Sequence, residues 1–102
     1  EGTGVAKNAK AAFSWYLKAA EGGSVVSQVA LGSMYRTGRG TERDFVNAAA
    51  WYLKAAEAGN PLAQERIGYM YATGQGVALD AVKAAKWNGI AKDAGIRISD
   101  AN

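Results

Sequence analysis

Apolar residues in the middle of the chain recur with the spacing of an amphipathic helix. Four of them stand at positions i, i+3, i+4 and i+7: Ala48, Trp51, Tyr52 and Ala55. This spacing places side chains on one face of an α-helix. Asp44, before the run, is a good N-cap residue, and Gly59, after it, is typical of a helix end. We therefore predict a helix over 44–58 and refer to it as a Trp helix.

A second helix is predicted immediately after the first. Asn60 is a capping residue, and Pro61 occupies a first helical position, where its missing N–H costs nothing. The next apolar stripe has helical spacing and consists of Ala63, Ile67, Met70 and Tyr71. We predict a helix over 60–73, a Met-Tyr helix. Because only Gly59 and Asn60 separate the two helices, they must fold back on each other as an antiparallel pair.

The pattern is repeated along the chain. Trp15, Trp51 and Trp87 are spaced 36 residues apart, and the block Trp-Tyr-Leu-Lys-Ala-Ala-Glu occurs at 15–21 and again at 51–57. The repeat divides a single domain, 1–102, into copies at 5–40, 41–76 and 77–102. Applied to the whole chain, it predicts five helices, no strands and a short tail over 96–102. The predicted helices are 8–22, 24–37, 44–58, 60–73 and 80–94.

Gly32 and Gly68 fall in the middle of the two Met-Tyr helices, at the same position of the repeat. A glycine inside a helix costs about 1 kcal/mol relative to alanine. Its recurrence therefore predicts a close approach to a tryptophan or tyrosine ring of a neighbouring helix, as in a solenoid.

Residues 1–5 align with the turn at 37–41, which predicts that the sequence opens inside a repeat of a longer array. The first Trp helix would then have a free apolar flank, suited to end-to-end self-association.

One sequence pattern resembles a known family. It reads Ala-x-x-Trp-Tyr-x-Lys-Ala-Ala-Glu-x-Gly, then Ala-Gln-x-x-Ile-Gly-x-Met-Tyr-x-x-Gly-x-Gly-Val and Asp. This is similar to the Sel1-like repeat, a relative of the tetratricopeptide repeat. The resemblance implies an all-α, right-handed solenoid of antiparallel helix pairs, with the Met-Tyr helices lining its concave side. It also implies a non-enzymatic adaptor, usually bacterial and often periplasmic or secreted. Cysteine-rich relatives carry a disulfide in each repeat, whereas this chain has no cysteine.

Composition narrows the possible chemistry. The 102 residues include no cysteine and no histidine, so disulfides, thiol nucleophiles and imidazole bases are absent. We predict no catalytic residues, no cofactor and no metal site. The net charge of +3 falls short of the dense basic stripe of a nucleic-acid-binding domain. The sequence has no run of 18 apolar residues, so we expect no membrane insertion.

The candidate binding surface is the side of the Met-Tyr helices left free by the apolar stripe. By resemblance to tetratricopeptide proteins, this side lines the concave groove. Its residues are Val26, Val29, Ala30, Ser33, Leu62, Glu65, Arg66, Tyr69 and Thr73. A tyrosine near arginine and apolar residues is typical of recognition surfaces, although such residues are also scattered over ordinary surfaces. We predict a scaffold that binds a protein or peptide. The alternative is a carbohydrate or peptidoglycan-fragment (cell-wall glycan) binder, in which Tyr69 and nearby loop arginines hold sugar and carboxylate.

Three other groups of residues were candidates for chemistry. The Trp-Tyr pairs at 15–16 and 51–52 could stack on bases or sugars, but their repetition favours core packing. The loop at 36–43 places Arg36, Arg39 and Arg43 around a Gly-x-Gly turn. No strand precedes this turn as in a phosphate-binding loop, and the corresponding turn at 73–76 carries no arginine. We therefore interpret it as a solvated turn, with specific anion binding as the alternative. Asp44 and Asp80 each begin a helix and are interpreted as caps rather than as catalytic carboxylates.

Overall fold

Five α-helices follow one another in the computed structural model, which describes residues 2–93. They are α1 Gly2–Glu21, α2 Val25–Thr37, α3 Phe45–Glu57, α4 Pro61–Thr73 and α5 Ala81–Asp93. The odd-numbered helices are the Trp helices, and α2 and α4 are the Met-Tyr helices. Residues 2–93 contain no strand, and the predicted all-α solenoid is confirmed. The predicted tail over 96–102 lies outside the described residues.

Side-chain caps determine where the helices begin. The carboxylate of Asp44 accepts a hydrogen bond from the backbone N–H of Asn47 (3.0 Å), and the amide oxygen of Asn60 accepts one from that of Ala63 (2.9 Å). Asp80 caps α5 in the same way. The three predicted caps are therefore confirmed. Helices α2 to α5 start one residue later than predicted, because a capping residue such as Asp44 has extended rather than helical backbone angles.

Helices that are consecutive in the chain make the extensive contacts with one another. The resulting body measures 42 × 26 × 24 Å. Most residues of the core are small, and larger side chains fill the space between them. The larger members are Tyr52, Ile67, Met70, Tyr71 and Trp87. Buried Gln28 and Gln64 donate from their side-chain amides to the carbonyls of Ala20 and Ala56 (3.3 and 3.2 Å), which ties each Met-Tyr helix to the Trp helix before it.

The mid-helix glycines permit close helix packing. A Cβ atom at Gly32 would lie 2.8 Å from the ring of Tyr52, so the predicted ring contact is confirmed there. At Gly68 it would lie 2.6 Å from the side-chain oxygen of Asn88 and 3.4 Å from the Cβ of Trp87. The prediction of a ring contact at Gly68 is therefore wrong. The third copy has asparagine where the second has Tyr52, so an amide occupies the place of the ring.

The beginning of the chain differs from the sequence-based expectation. α1 starts at Gly2 rather than at residue 8, so residues 2–5 are helical and do not form the predicted turn. The later turn at 38–44 depends on the helix before it, because the N–H of Gly38 donates to Met34 and the N–H of Asp44 donates to Tyr35. Residues 2–5 instead form the first turn of α1.

The first Trp-Tyr pair has a different environment from the second. Trp15 is 72% exposed, and Tyr16 is also exposed. Tyr52, at the position equivalent to Tyr16, is 1% exposed because it packs on Gly32 of the preceding helix. Core packing is therefore confirmed for Tyr52 and wrong for Trp15 and Tyr16.

Replacing the two mid-helix glycines by alanine should have different effects. Gly32→Ala gains helix propensity but pushes a methyl group into the buried Tyr52 ring, so we expect a net loss of about 1–2 kcal/mol in unfolding free energy. Gly68→Ala meets the end of a half-buried asparagine side chain that can rotate, so stability should stay equal or rise by up to about 1 kcal/mol. Urea denaturation of both variants measures the difference. Equal destabilisation of the two would contradict this account of the packing.

The exposed Trp15 and the buried Trp87 provide a second matched pair of variants for a stability measurement. Trp87, in the core, is 9% exposed, so Trp87→Ala should lower the unfolding free energy by about 3–5 kcal/mol. Trp15→Ala should cost less than about 1 kcal/mol because little apolar surface is buried there. Thermal denaturation followed by circular dichroism tests both variants. A large loss for Trp15→Ala would mean that this side chain is covered.

Candidate functional site

A cavity of about 290 Å³ lies where the ends of α2 and α4 meet the start of α3. Arg36 comes from the last turn of α2, and Arg66 and Tyr69 come from the exposed side of α4. The turns that flank these helices provide further lining residues. The complete lining is Arg36, Arg43, Phe45, Arg66, Tyr69, Met70 and Gln75.

Backbone contacts in the glycine turns bring these side chains together. The N–H of Asp44 donates to the carbonyl of Tyr35 (2.8 Å), which fixes the segment carrying Arg43 and Phe45 against the end of α2. Gly76 has φ 77° and lies so close to the carbonyl of Phe45 that a Cβ atom would collide with it. Glycine is required at this position on both counts. The turn after α4, which carries Gln75, is thereby held against the start of α3.

The lining contains three arginines and no acidic residue. The guanidinium carbon of Arg43 lies 5.2 Å from the ring centroid of Phe45, a cation–π contact that restrains the side chain. The Nε of Arg36 is buried and has no hydrogen-bond partner within the described structure. The clustered positive charge favours an anionic group in the cavity.

The family profile of the Sel1 repeat matches residues 1–24, 25–60 and 61–95. The chain belongs to the Sel1 repeat family. The matched units begin at a different position of the repeat from the copies 5–40, 41–76 and 77–102, but they have the same period. A comparison with curated proteins finds no significant match.

Solved structures of Sel1 repeat proteins superimpose well on this chain. A Sel1 repeat protein from Oxalobacter formigenes is 36% identical over 86% of the chain, with a TM-score of 0.84. A protective antigen of uropathogenic Escherichia coli with an SLR fold is 38% identical over 83%, with a TM-score of 0.81. The Helicobacter pylori cysteine rich protein B is 28% identical over 82%, with a TM-score of 0.78. The chain spans 36%, 18% and 63% of these proteins, respectively, less than two thirds of each.

Family membership sets the general role. Sel1 repeat proteins typically act as non-catalytic scaffolds for protein interactions. Among the described residues of this Sel1 repeat chain, no group of histidine, cysteine or acidic side chains could hold a metal ion. No helix within residues 2–93 is long and apolar enough to cross a membrane.

Only part of the predicted binding set meets at the cavity. Arg66 and Tyr69 line it. Val26 of α2 and Leu62 of α4 are exposed but lie outside the lining, and Glu65 of α4 is half-buried. The other predicted residues outside the lining are Val29, Ala30, Ser33 and Thr73.

Two members of that set have structural roles as well. Val29 is partly buried and packs against the core cluster, so it offers less free surface than predicted. The hydroxyl of Thr73 donates to the carbonyl of Tyr69 (2.9 Å) within α4. Ala30 and Ser33 are half-buried.

The loop arginines had been assigned to a solvated turn, but two of the three line the cavity. Arg36 and Arg43 line the same cavity as Arg66, whereas Arg39 is exposed and outside the lining. One signal was available in the sequence: Arg36 and Arg43 have no counterpart one period later, where Ala72 and Leu79 stand. The participation of Gln75 depends on the close turn at Gly76 and could not be inferred from spacing.

The pKa of Asp44 agrees with its role as a cap. The backbone N–H of Asn47 donates to its carboxylate, the side-chain amide of Asn47 donates to it as well (2.8 Å), and both bonds hold the pKa of Asp44 below its ordinary value. A carboxyl group with these partners is stabilised as the anion and is poorly suited to donate a proton.

The lowered pKa predicts a specific pH dependence of stability. Asp44 stabilises the fold when the pH is above its unfolded-state pKa, and this contribution is lost as the pH falls through the lower folded-state value. Asp44→Asn keeps a capping side chain but removes the titration. The stability advantage of the parent protein over Asp44→Asn should therefore shrink as the pH falls from about 7 to about 2. Denaturation at several pH values measures it, and an advantage that does not change would contradict the assignment.

Proposed function

We propose that this chain binds an extended peptide segment of a protein partner across the exposed side of α2 and α4. The observation that carries the proposal is Tyr69, which is 58% exposed and lines the cavity beside Arg66. A large aromatic side chain left out of the core, next to an arginine, is typical of the residues that dominate binding energy at protein interfaces.

Further apolar surface on the same helices supports a peptide as the ligand. Val26 and Leu62 are exposed and occupy the same position of the repeat, near the start of α2 and of α4. An acidic side chain of the peptide would contact Arg66. An apolar side chain would pack on the ring of Tyr69 and the accessible part of Val29.

The fold supplies the mechanism by which such a surface binds. α2 and α4 are each packed against the Trp helices on both sides, so their exposed side chains are presented at fixed spacing. A rigid surface loses little conformational entropy on binding, so more of the contact energy contributes to affinity.

The double variant Tyr69→Ala, Arg66→Ala tests this proposal. Peptides are first selected on the parent protein from a display library of random dodecapeptides, and their dissociation constants are measured by calorimetry. We expect the double variant to weaken binding by about 30-fold or more, equivalent to about 2 kcal/mol. Its melting curve should stay close to that of the parent because neither side chain is buried in the core.

Lys54→Ala serves as the control, because Lys54 is exposed on α3 and outside the cavity lining. It should bind the selected peptides normally. If the library yields no binder while a soluble cell-wall fragment does, the chain is a glycan-binding module instead. If selected peptides bind the folded double variant as tightly as the parent, the surface of α2 and α4 is not the site.

A further inference from the structure

We infer that the cavity between α2 and α4 selects an acidic peptide segment, with two adjacent carboxylate side chains held by Arg36, Arg43 and Arg66. The inference rests on the proposed function and specifies the chemistry of the partner. An apolar residue next to the acidic pair would lie on the ring of Tyr69.

Charge complementarity is the first argument. Three guanidinium groups surround one cavity whose lining has no aspartate or glutamate to neutralise them. Like charges that line one cavity repel each other, and a bound anion relieves that repulsion. Guanidinium groups bind carboxylates through paired, charge-assisted hydrogen bonds, and a single carboxylate cannot serve three of them. Two carboxylates match the site better than one.

The arginines are partly organised before any ligand arrives. Arg43 is restrained on the ring of Phe45 at 5.2 Å. The buried Nε of Arg36 has no hydrogen-bond partner in the described part of the chain, and leaving a buried donor unpaired is unfavourable. Because this Nε is closed off from the cavity, a ligand does not reach it as the side chain stands. The observed preorganisation is therefore that of Arg43.

The repeat itself shows that the fold does not need these arginines. One period away, the positions of Arg36 and Arg43 are occupied by Ala72 and Leu79, and the position of Arg66 is occupied by Ala30. Residues with structural roles recur with the period, as the capping aspartates at 44 and 80 do. The three arginines occur at one junction between repeats, and there they converge on one cavity.

The surroundings of the cavity favour peptide carboxylates over a phosphate group. Phe45, Met70 and the ring of Tyr69 provide an apolar part of the lining, which a peptide side chain would use and an isolated phosphate ion would not.

The test uses the capped peptide Ser-Leu-Glu-Glu-Ser, its counterpart Ser-Leu-Gln-Gln-Ser and inorganic phosphate, each titrated into the chain and followed by NMR. The acidic peptide should give saturable shifts at the amides of Arg36, Arg43 and Gln75. It should bind at least about ten-fold more tightly than the glutamine peptide and than phosphate. The double variant Arg36→Gln, Arg43→Gln should lose this preference.

Arg39→Gln is the matched control, because Arg39 lies in the same turn and has the same charge but is outside the cavity lining. It should retain the preference. An equal loss in Arg39→Gln would mean that net charge attracts the peptide. Phosphate binding as tight as that of the acidic peptide would assign the site to phosphate. Either result overturns the inference.

If the acidic peptide leaves the cavity amides unshifted while library peptides still depend on Tyr69 and Arg66, the inference fails and the proposed function stands. If neither kind of peptide binds, both fail.

Discussion

Each helix pair of this chain can bury its apolar side only against a neighbouring pair, and the helices must approach closely to do so. Small residues make this approach possible: Gly32 accommodates the ring of Tyr52, and alanines fill much of the core around it. The first Trp helix differs from the second in this contact. Tyr52 is buried against Gly32 of the helix before it, whereas the equivalent Tyr16, with no described helix before it, is exposed.

The repeat separates residues that build the fold from residues available for binding. Capping side chains, turn glycines and core residues serve the same structural purpose in successive copies, so they recur with the period. Side chains on the free surface of α2 and α4 are not subject to this requirement and differ between copies. Tyr69 stands where the previous copy has Ser33, and Arg66 stands where it has Ala30. A departure from the repeat at an exposed position is therefore informative about binding.

The glycine turns link the fold to the candidate site. They allow the chain to reverse direction close to the helix before it, and they place the turn after α4 against the start of α3. The cavity forms between these segments, and its lining combines residues of two turns, the start of α3, the last turn of α2 and the exposed side of α4. The proposed site therefore includes the junction between repeats as well as the helix surfaces.

Local sequence determined most of the fold. Capping residues and apolar spacing identified five helices, and the short connection at 59–60 required antiparallel pairing, because these signals act within a few residues along the chain. Sequence also identified Arg66 and Tyr69 as exposed, since helical phase alone excludes them from the core stripe.

Tertiary structure decided the rest. Residues 2–5 became helical, Gly68 faces Asn88 instead of a ring, and Arg36 and Arg43 meet Arg66 across the junction of two repeats. These outcomes depend on which segments pack together and on what lies beside them. The spacing of residues along the chain does not contain that information. The same turn motif packs against different segments at each position in the array.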